Sequence, residues 1–178
     1  MVNMINLHIG RQTFDFDCGV KSLQLVMAYY GMDIREDILL KQLGTGGDGT
    51  RVEKMISVSE SHGFKVEARQ KWTVAELKSY IDQGHPVIVL LQAWADKYMT
   101  LHDWRNNYED GHYAVLIGYN KEVLIFEDPA SFRRTWLKEY ELLARWHDKD
   151  PTRNKKYDRF GMVLLGKEAV ERTAVHMD

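Results

Sequence analysis

Residues 11–31 read RQTFDFDCGVKSLQLVMAYYG, and the way this stretch folds decides the architecture. Cys18 is the single cysteine of the chain. Asp17 before it is a favoured N-cap type, and Gly31 is a stop signal. Between them Val20, Leu23, Val26, Met27 and Tyr30 recur at helical spacing. The spacing predicts a helix from about Cys18 to Tyr30, with the thiol at its N-terminus. A thiol attacks only as thiolate; free cysteine titrates near ~8.5, and a helix N-terminus or an adjacent imidazolium pulls that value down. Cysteine is also among the residue types most often buried as a small hydrophobe. Position alone leaves both readings of Cys18 open.

Working outward, the 178 residues are 44% hydrophobic, enough for a proper core in one domain. Charged residues make up 28% and leave a net charge of −2. That near balance gives no electrostatic case for nucleic acid or an anionic membrane surface. The N-terminus, MVNMINLHIGRQTFDFD, has neither a basic start nor an apolar run, so no signal peptide is expected. The longest apolar run, PVIVLL at 86–91, is too short to span a bilayer. One cysteine excludes an internal disulfide and a multi-thiolate zinc site, and a reducing, cytoplasmic compartment is expected.

A second helix is expected over about 35–43, running into the glycine-rich GTGGDGT at 44–50. That loop lacks the lysine and the preceding strand of a phosphate loop and reads as a turn. Thr50 with Glu53, and Thr73 with Glu76, have capping-box spacing and predict helices ending near Gly63 and at Gly84. FKVEARQ (64–70) and PVIVLLQAW (86–94) read as strands, and 95–111 as a long polar and aromatic loop. HYAVLIGY (112–119) and EVLIFED (122–128) read as strands joined by a hairpin at Asn120-Lys121. RRTWL (133–137) is a further strand, a helix covers about 138–146, DPTRNKKYD (150–158) is a polar connector and RFGMVLLG (159–166) a closing strand. Helices first and strands last argue for an α+β class, an antiparallel sheet packed on a helical half. The expected organisation is one domain over residues 1–178, with a core of about 10–166 and a loosely held tail at 167–178.

A nucleophile needs a base. Of the seven histidines, His8 and His176 are terminal, His62 precedes a helix-ending glycine, His85 enters a strand before Pro86, and His147 sits in a charged helix end. His102 lies in the long loop. His112 follows Gly111 and begins an apolar strand, which would hold its ring rigidly. Folding the hairpin at Asn120 pairs residues whose numbers sum to about 240, which sets Asp128 beside His112. A two-residue loop would put the two side chains on opposite faces, so an odd loop or a bulge is expected. The alternative is a sheet-end histidine and an Asp-Pro turn that do not meet. Gln12, six residues before Cys18, can join the Cys18 backbone N–H as an oxyanion donor; losing such a donor costs a factor of about 10²–10³. His102-Asp103 with Glu109-Asp110 read as solvated loop polars rather than a cation site.

These pieces together resemble one family. Gln-x5-Cys at a helix start, a strand-initial His and an Asp-Pro sixteen residues later are similar to the papain-like cysteine peptidases that remove double-glycine leaders from exported peptides, the bacteriocin-processing peptidases. The matching stretches, QTFDFDCGVKSLQLVMAYYG, GTGGDGTRVEKMISVSESHGF, HPVIVLL, GHYAVLIGY and VLIFEDP, run in family order. The resemblance implies a papain-like fold, with Cys18 as nucleophile, His112 as general base and acid, Asp128 orienting His112, and Gln12 completing the oxyanion hole. It implies acyl transfer through a thioester on a peptide or amide-bearing substrate, with no cofactor. Family members are often the N-terminal domain of an ABC exporter; here no transmembrane or ATPase segment follows, and a free-standing member is expected. Two other functions fit the same residues: an acyltransferase or amidase with the same triad, and a catalytically silent peptide-binding module.

Overall fold

Helix α1 (Cys18–Tyr29) forms where the apolar spacing puts it. The structure is a computed structural model that describes residues 3–150, 152–170 and 176–177. From Cys18 to Met27 every α1 residue except Gln24 is buried, so α1 is a core helix rather than an amphipathic surface one. It ends in a Schellman turn: Met32 N–H donates to Met27 O at 2.9 Å and Gly31 N–H to Ala28 O at 3.0 Å. That turn requires the left-handed φ of +79° at Gly31, which glycine adopts without a Cβ penalty.

Three more helices complete the helical half: α2 (Glu36–Leu43), α3 (Val52–Ser61) and α4 (Val74–Asp82). The Thr73–Glu76 capping box closes in both directions at the head of α4. The Thr50–Glu53 box does not form. The N-cap of α3 is Arg51, Thr50 Oγ1 pairs with Thr45 Oγ1 at 2.8 Å, and Glu53 turns to Lys155 Nζ at 2.7 Å. A distant ammonium and a neighbouring hydroxyl outcompete the local cap.

The strands are β1 (Asn3–Met4), β2 (Lys65–Arg69), β3 (Val87–Gln92), β4 (Gly111–Tyr119), β5 (Val123–Glu127), β6 (Thr135–Lys138), β7 (His147–Lys149), β8 (Lys156–Asp158) and β9 (Gly161–Leu165). One antiparallel sheet runs β2-β9-β3-β4-β5-β6, and β1 adds to β4. Since β5 holds one side of Gly118 and Tyr119, β1 lies on the other, continuing the line of β3 where β3 stops at Val87. Ile5 N–H donates to Ile117 O at 2.7 Å, and Ile5 and Leu7 are buried, so the core begins before the expected boundary at about 10. All of β3 and the interior of β4 are buried, as their unbroken apolar runs require.

Two expected irregular segments carry structure. The long loop at 95–111 contains α5 (Leu101–Asn106), started by a capping box of Thr100 and Asp103. The polar connector belongs to a two-stranded ribbon of β7 and β8, which follows α6 (Glu139–Arg145). Within the expected tail, Val170 N–H donates to Tyr29 O at 3.0 Å; residues 171–175 and 178 lie outside the described residues. Among the described residues no helix is long and apolar enough to cross a membrane.

Candidate active site

The N-terminus of α1 meets the start of β4. Tyr113 O–H donates to Thr50 O at 3.0 Å, and Ser22 Oγ on α1 donates to Tyr113 O at 3.4 Å. This contact sets Cys18 against His112, the two side chains in hydrogen-bond reach. Gly19 is required at the joint, because a Cβ there would lie 2.7 Å from Thr50 Cβ. Cys18, His112 and Asp128 are 8%, 6% and 4% exposed.

The β4–β5 register explains how His112 reaches Asp128. Near the turn Tyr119 pairs with Leu124, and the loop is even. A bulge between Leu116 and Gly118 then shifts the register by one, so that Leu116 faces Phe126 and Val115 faces Glu127. The shift restores parity: Asp128, one residue past β5, falls on the face of Ala114 and therefore of His112. The two are diagonal neighbours rather than direct partners, because the pairing sum is 242 rather than 240. His112 Nε2 donates to Asp128 Oδ1 at 2.8 Å. With Nε2 committed, Nδ1 is the ring nitrogen left for the thiol.

Asp128 is saturated with donors. Ala130 N–H donates to Oδ1 at 2.9 Å, while Trp94 Nε1–H and Thr135 Oγ1–H both donate to Oδ2 at 3.1 Å. Burial alone would push this carboxyl up, but the hydrogen bonds from His112, Ala130 and Thr135 with the His112 charge outweigh it and hold it below its usual range. For His112, burial pulls the ring down, yet the hydrogen bonds to Asp128 and Cys18 prevail and raise it to about 9. The site favours the charged imidazolium at neutral pH. That is the state in which a neighbouring sulfur is most stable as thiolate.

Gln12 is tied near Asp128 by its backbone only, and it lines neither hollow described below. Its backbone N–H donates to Pro129 O at 2.9 Å, beside Asp128. Its side chain is turned elsewhere: Nε2 donates to Phe14 O at 2.7 Å, and Oε1 is sealed from solvent without a partner among the described residues. Asp17 does not cap α1 as its position suggests; its carboxylate turns back to the amides of Thr13 and Phe14.

Two hollows flank these residues. One, of about 460 Å³, is lined by Cys18, the backbones of Gly47, Gly49 and Gly111, and Tyr113 and Asp148. The other, of about 200 Å³, is lined by His112, Asp128 and the apolar Trp94, Phe126, Trp136 and Leu137. The Peptidase C39 family model matches residues 6–151, which spans Gln12, Cys18, His112 and Asp128. The chain belongs to the peptidase C39 family.

It is a cysteine peptidase, a hydrolase. No curated protein matches the chain. Among solved structures this C39 peptidase is similar to the peptidase domain of Streptococcus ComA, a bi-functional ABC transporter involved in a quorum-sensing pathway, at 20% identity and TM-score 0.63, over 88% of this chain and 96% of that one. It is similar to a double glycine motif protease from an AMS/PCAT transporter, in complex with the leader peptide, at 15% identity and TM-score 0.63, over 90% and 92%. It is also similar to a protein described as a C39-like peptidase from Bacillus anthracis, at 16% identity and TM-score 0.67, over 94% and 98%. At these identities the likeness is one of fold, papain-like and α+β.

In the C39 peptidase, the residues that sequence reasoning missed are those that dress the His112–Asp128 pair. Trp94 reads as the end of the strand over 86–94, yet β3 stops at Gln92 and the Trp94 indole N–H reaches Asp128 from a left-handed backbone, φ 65°. A non-glycine residue in that conformation is a signal that only the backbone reveals. Asp148 lines the Cys18 cleft, and burial raises its carboxyl to about 6.

Proposed function

We propose that this C39 peptidase cleaves a peptide bond through a thioester on Cys18, with His112 as base and acid, Asp128 as its orienter and Gln12 as an oxyanion donor. The carrying observation is the buried His112–Asp128 hydrogen bond at 2.8 Å, with Cys18 at the head of α1 interacting with the same ring. The Cys18 thiolate adds to the scissile carbonyl carbon and forms a C–S bond. The resulting oxyanion is met by the Cys18 backbone N–H and by the Gln12 amide, once its Nε2 turns from Phe14 O toward the sulfur. The C–N bond then breaks as imidazolium delivers its proton to the departing amine. His112 next takes a proton from water, the water oxygen bonds to the acyl carbon, and the C–S bond breaks to release the acid and the thiol.

Gly47, Gly49 and Gly111 present backbone rather than side chains to the cleft on Cys18, which favours small residues beside the scissile bond. A peptide with a double-glycine leader, the type of substrate its structural neighbour is named for, is the first to try. Such a peptide should be cut after its glycines by the wild type and not by Cys18→Ala, with His112→Ala slowed by about 10³ or more. Cleavage that survives Cys18→Ala would refute this assignment.

A further inference from the structure

The hollow of about 200 Å³ beside His112 holds a charge that the reaction above does not use. Arg145, the last residue of α6, lines it. Its guanidinium lies over the ring of Trp104 on α5, 4.0 Å from the ring centre, and Trp104 is buried. The stack holds the cation in place between the two helices. Among the described residues, the Arg145 Nε is sealed from solvent without an acceptor, and no carboxylate pairs with the guanidinium. Burial pulls Arg145 below its ordinary value, and the charge of Glu141 opposes that only in part. Glu141 turns instead to the Lys138 N–H, which its Oε2 accepts at 2.8 Å. The carboxylate that shares the hollow, Asp128, already accepts from His112, Ala130, Trp94 and Thr135.

A half-buried cation without an acceptor is unfavourable, and an arginine fork is met best by a carboxylate, through two parallel hydrogen bonds. The other walls set the rest of the ligand. Leu91, Phe126, Trp136 and Leu137 are apolar, so the carboxylate is carried on a short hydrocarbon stem. The hollow is smaller than the ~300–1,000 Å³ of pockets for whole small-molecule ligands, so it fits a side chain. His112 lines this hollow and interacts with Cys18, which lines the larger one. An extended chain advances about 3.3 Å per residue. A peptide held on Cys18 can therefore set a side chain a few residues from the scissile bond into this hollow.

We propose that the hollow is a subsite of the peptidase for an acidic side chain of the substrate, aspartate or glutamate, and that Arg145 selects it. This deepens the peptide-cleaving reading above and rests on it. No bond is made or broken in the hollow. Arg145 sets which peptide is cut rather than how it is cut.

Two series test the subsite. In the first, double-glycine peptides carry Glu or Gln at one position at a time, from four residues before the glycines to four after the cut. At one position the wild type should cut the Glu peptide with kcat/KM about 10-fold above the Gln peptide. In Arg145→Met, which keeps an apolar stem on Trp104, that ratio should fall to about 1. In the second, the tryptophan fluorescence of Cys18→Ala is titrated with butyrate and with butyramide, which has the same stem without the charge. Butyrate should bind about 10-fold more tightly, and adding Arg145→Met should erase the difference. A Glu-to-Gln ratio near 1 at every position in the wild type would overturn the subsite; butyrate that still outbinds butyramide would then assign the hollow to a free carboxylic acid. A ratio that survives Arg145→Met would overturn the role of Arg145. Arg145→Lys keeps the charge and loses the fork, so its ratio should lie below that of wild type, and it decides the matter should Arg145→Met not fold. Should the wild type cut none of the peptides, the peptide-cleaving reading fails, and the Glu and Gln peptides are compared by their binding to Cys18→Ala.

Discussion

Replacing Asp128 by Asn keeps the shape of the side chain and removes its charge. In the native protein the hydrogen bond to Asp128 is the largest influence that raises His112 against burial, and the outcome is a rise from 6.5 to about 9. A rise of that size corresponds to ~3 kcal/mol in favour of the imidazolium. If Asp128 supplies about 2 kcal/mol of it, the imidazolium–thiolate pair loses a factor of about 30 in Asp128→Asn. Iodoacetamide alkylation at pH 6, with Cys18→Ala as blank, measures that loss directly. Stability should follow the same interaction. A histidine whose pKa is raised on folding adds stability that is fully present below about 6.5 and is lost as pH rises through about 9. The lowered Asp128 adds stability above about 3.8, lost as pH falls through its folded value. The melting gap between wild type and Asp128→Asn should therefore be widest between about pH 4 and 6.5 and close above about pH 9. Alkylation of Asp128→Asn at pH 6 within about twofold of wild type would refute the reasoning.

Three further outcomes follow from the surroundings of the pair. Trp94→Phe removes one donor from Asp128 Oδ2 and leaves Thr135, so kcat should fall about 5-fold, and Trp94→Ala should fall further because the ring cover goes too; steady-state cleavage of the leader peptide checks both. Gly111→Ala places a Cβ 2.6 Å and 2.7 Å from the Asp148 oxygens at the start of β4, and the strain should cost about 1–3 kcal/mol in denaturant unfolding. Asp148→Asn keeps an acceptor for Gln92 Nε2, which donates to Oδ1 at 2.7 Å. Burial raises this acid from 3.8 to about 6, so its charge penalises folding once pH exceeds about 6 and not below about 4; the variant should be more stable than wild type at pH 8, with no gain at pH 4.

What was legible in the chain is what neighbouring residues decide. The apolar period of α1, the Gly31 stop and the Thr73–Glu76 box act over one or two turns, and each is realised as read. The placement of Asp128 near His112 was legible because a hairpin ties residue numbers to positions. The bulge that makes them meet was required by parity, but nothing local marks its place between Leu116 and Gly118, where the other edge of β4 passes from β3 to β1. The misread positions are those where a distant group outcompetes a local one. Glu53 leaves the head of α3 for Lys155, 102 residues away, and Asp17 leaves the head of α1 for the loop before it. The helix at 101–106 was missed because polar and aromatic composition was weighed over the Thr100–Asp103 spacing, which carries a cap.

The same long-range logic holds the two halves of the site together. Gln12 and Cys18 come from the helical half, His112 and Asp128 from the sheet, and the chain between Gln12 and Pro129 is long. Closing so long a loop costs only slightly more than closing one half its length, because the entropy grows logarithmically. Two contacts then fix the closure at the site itself: Gln12 N–H on Pro129 O at 2.9 Å, and the Arg11 guanidinium over the Phe132 ring at 4.7 Å. The Gln12–Phe16 segment is thus tied at one end to the turn that follows Asp128 and at the other to Asp17 before Cys18. A displacement of the Asp128 turn must therefore move Gln12 as well as His112, which couples these two residues through one backbone hydrogen bond.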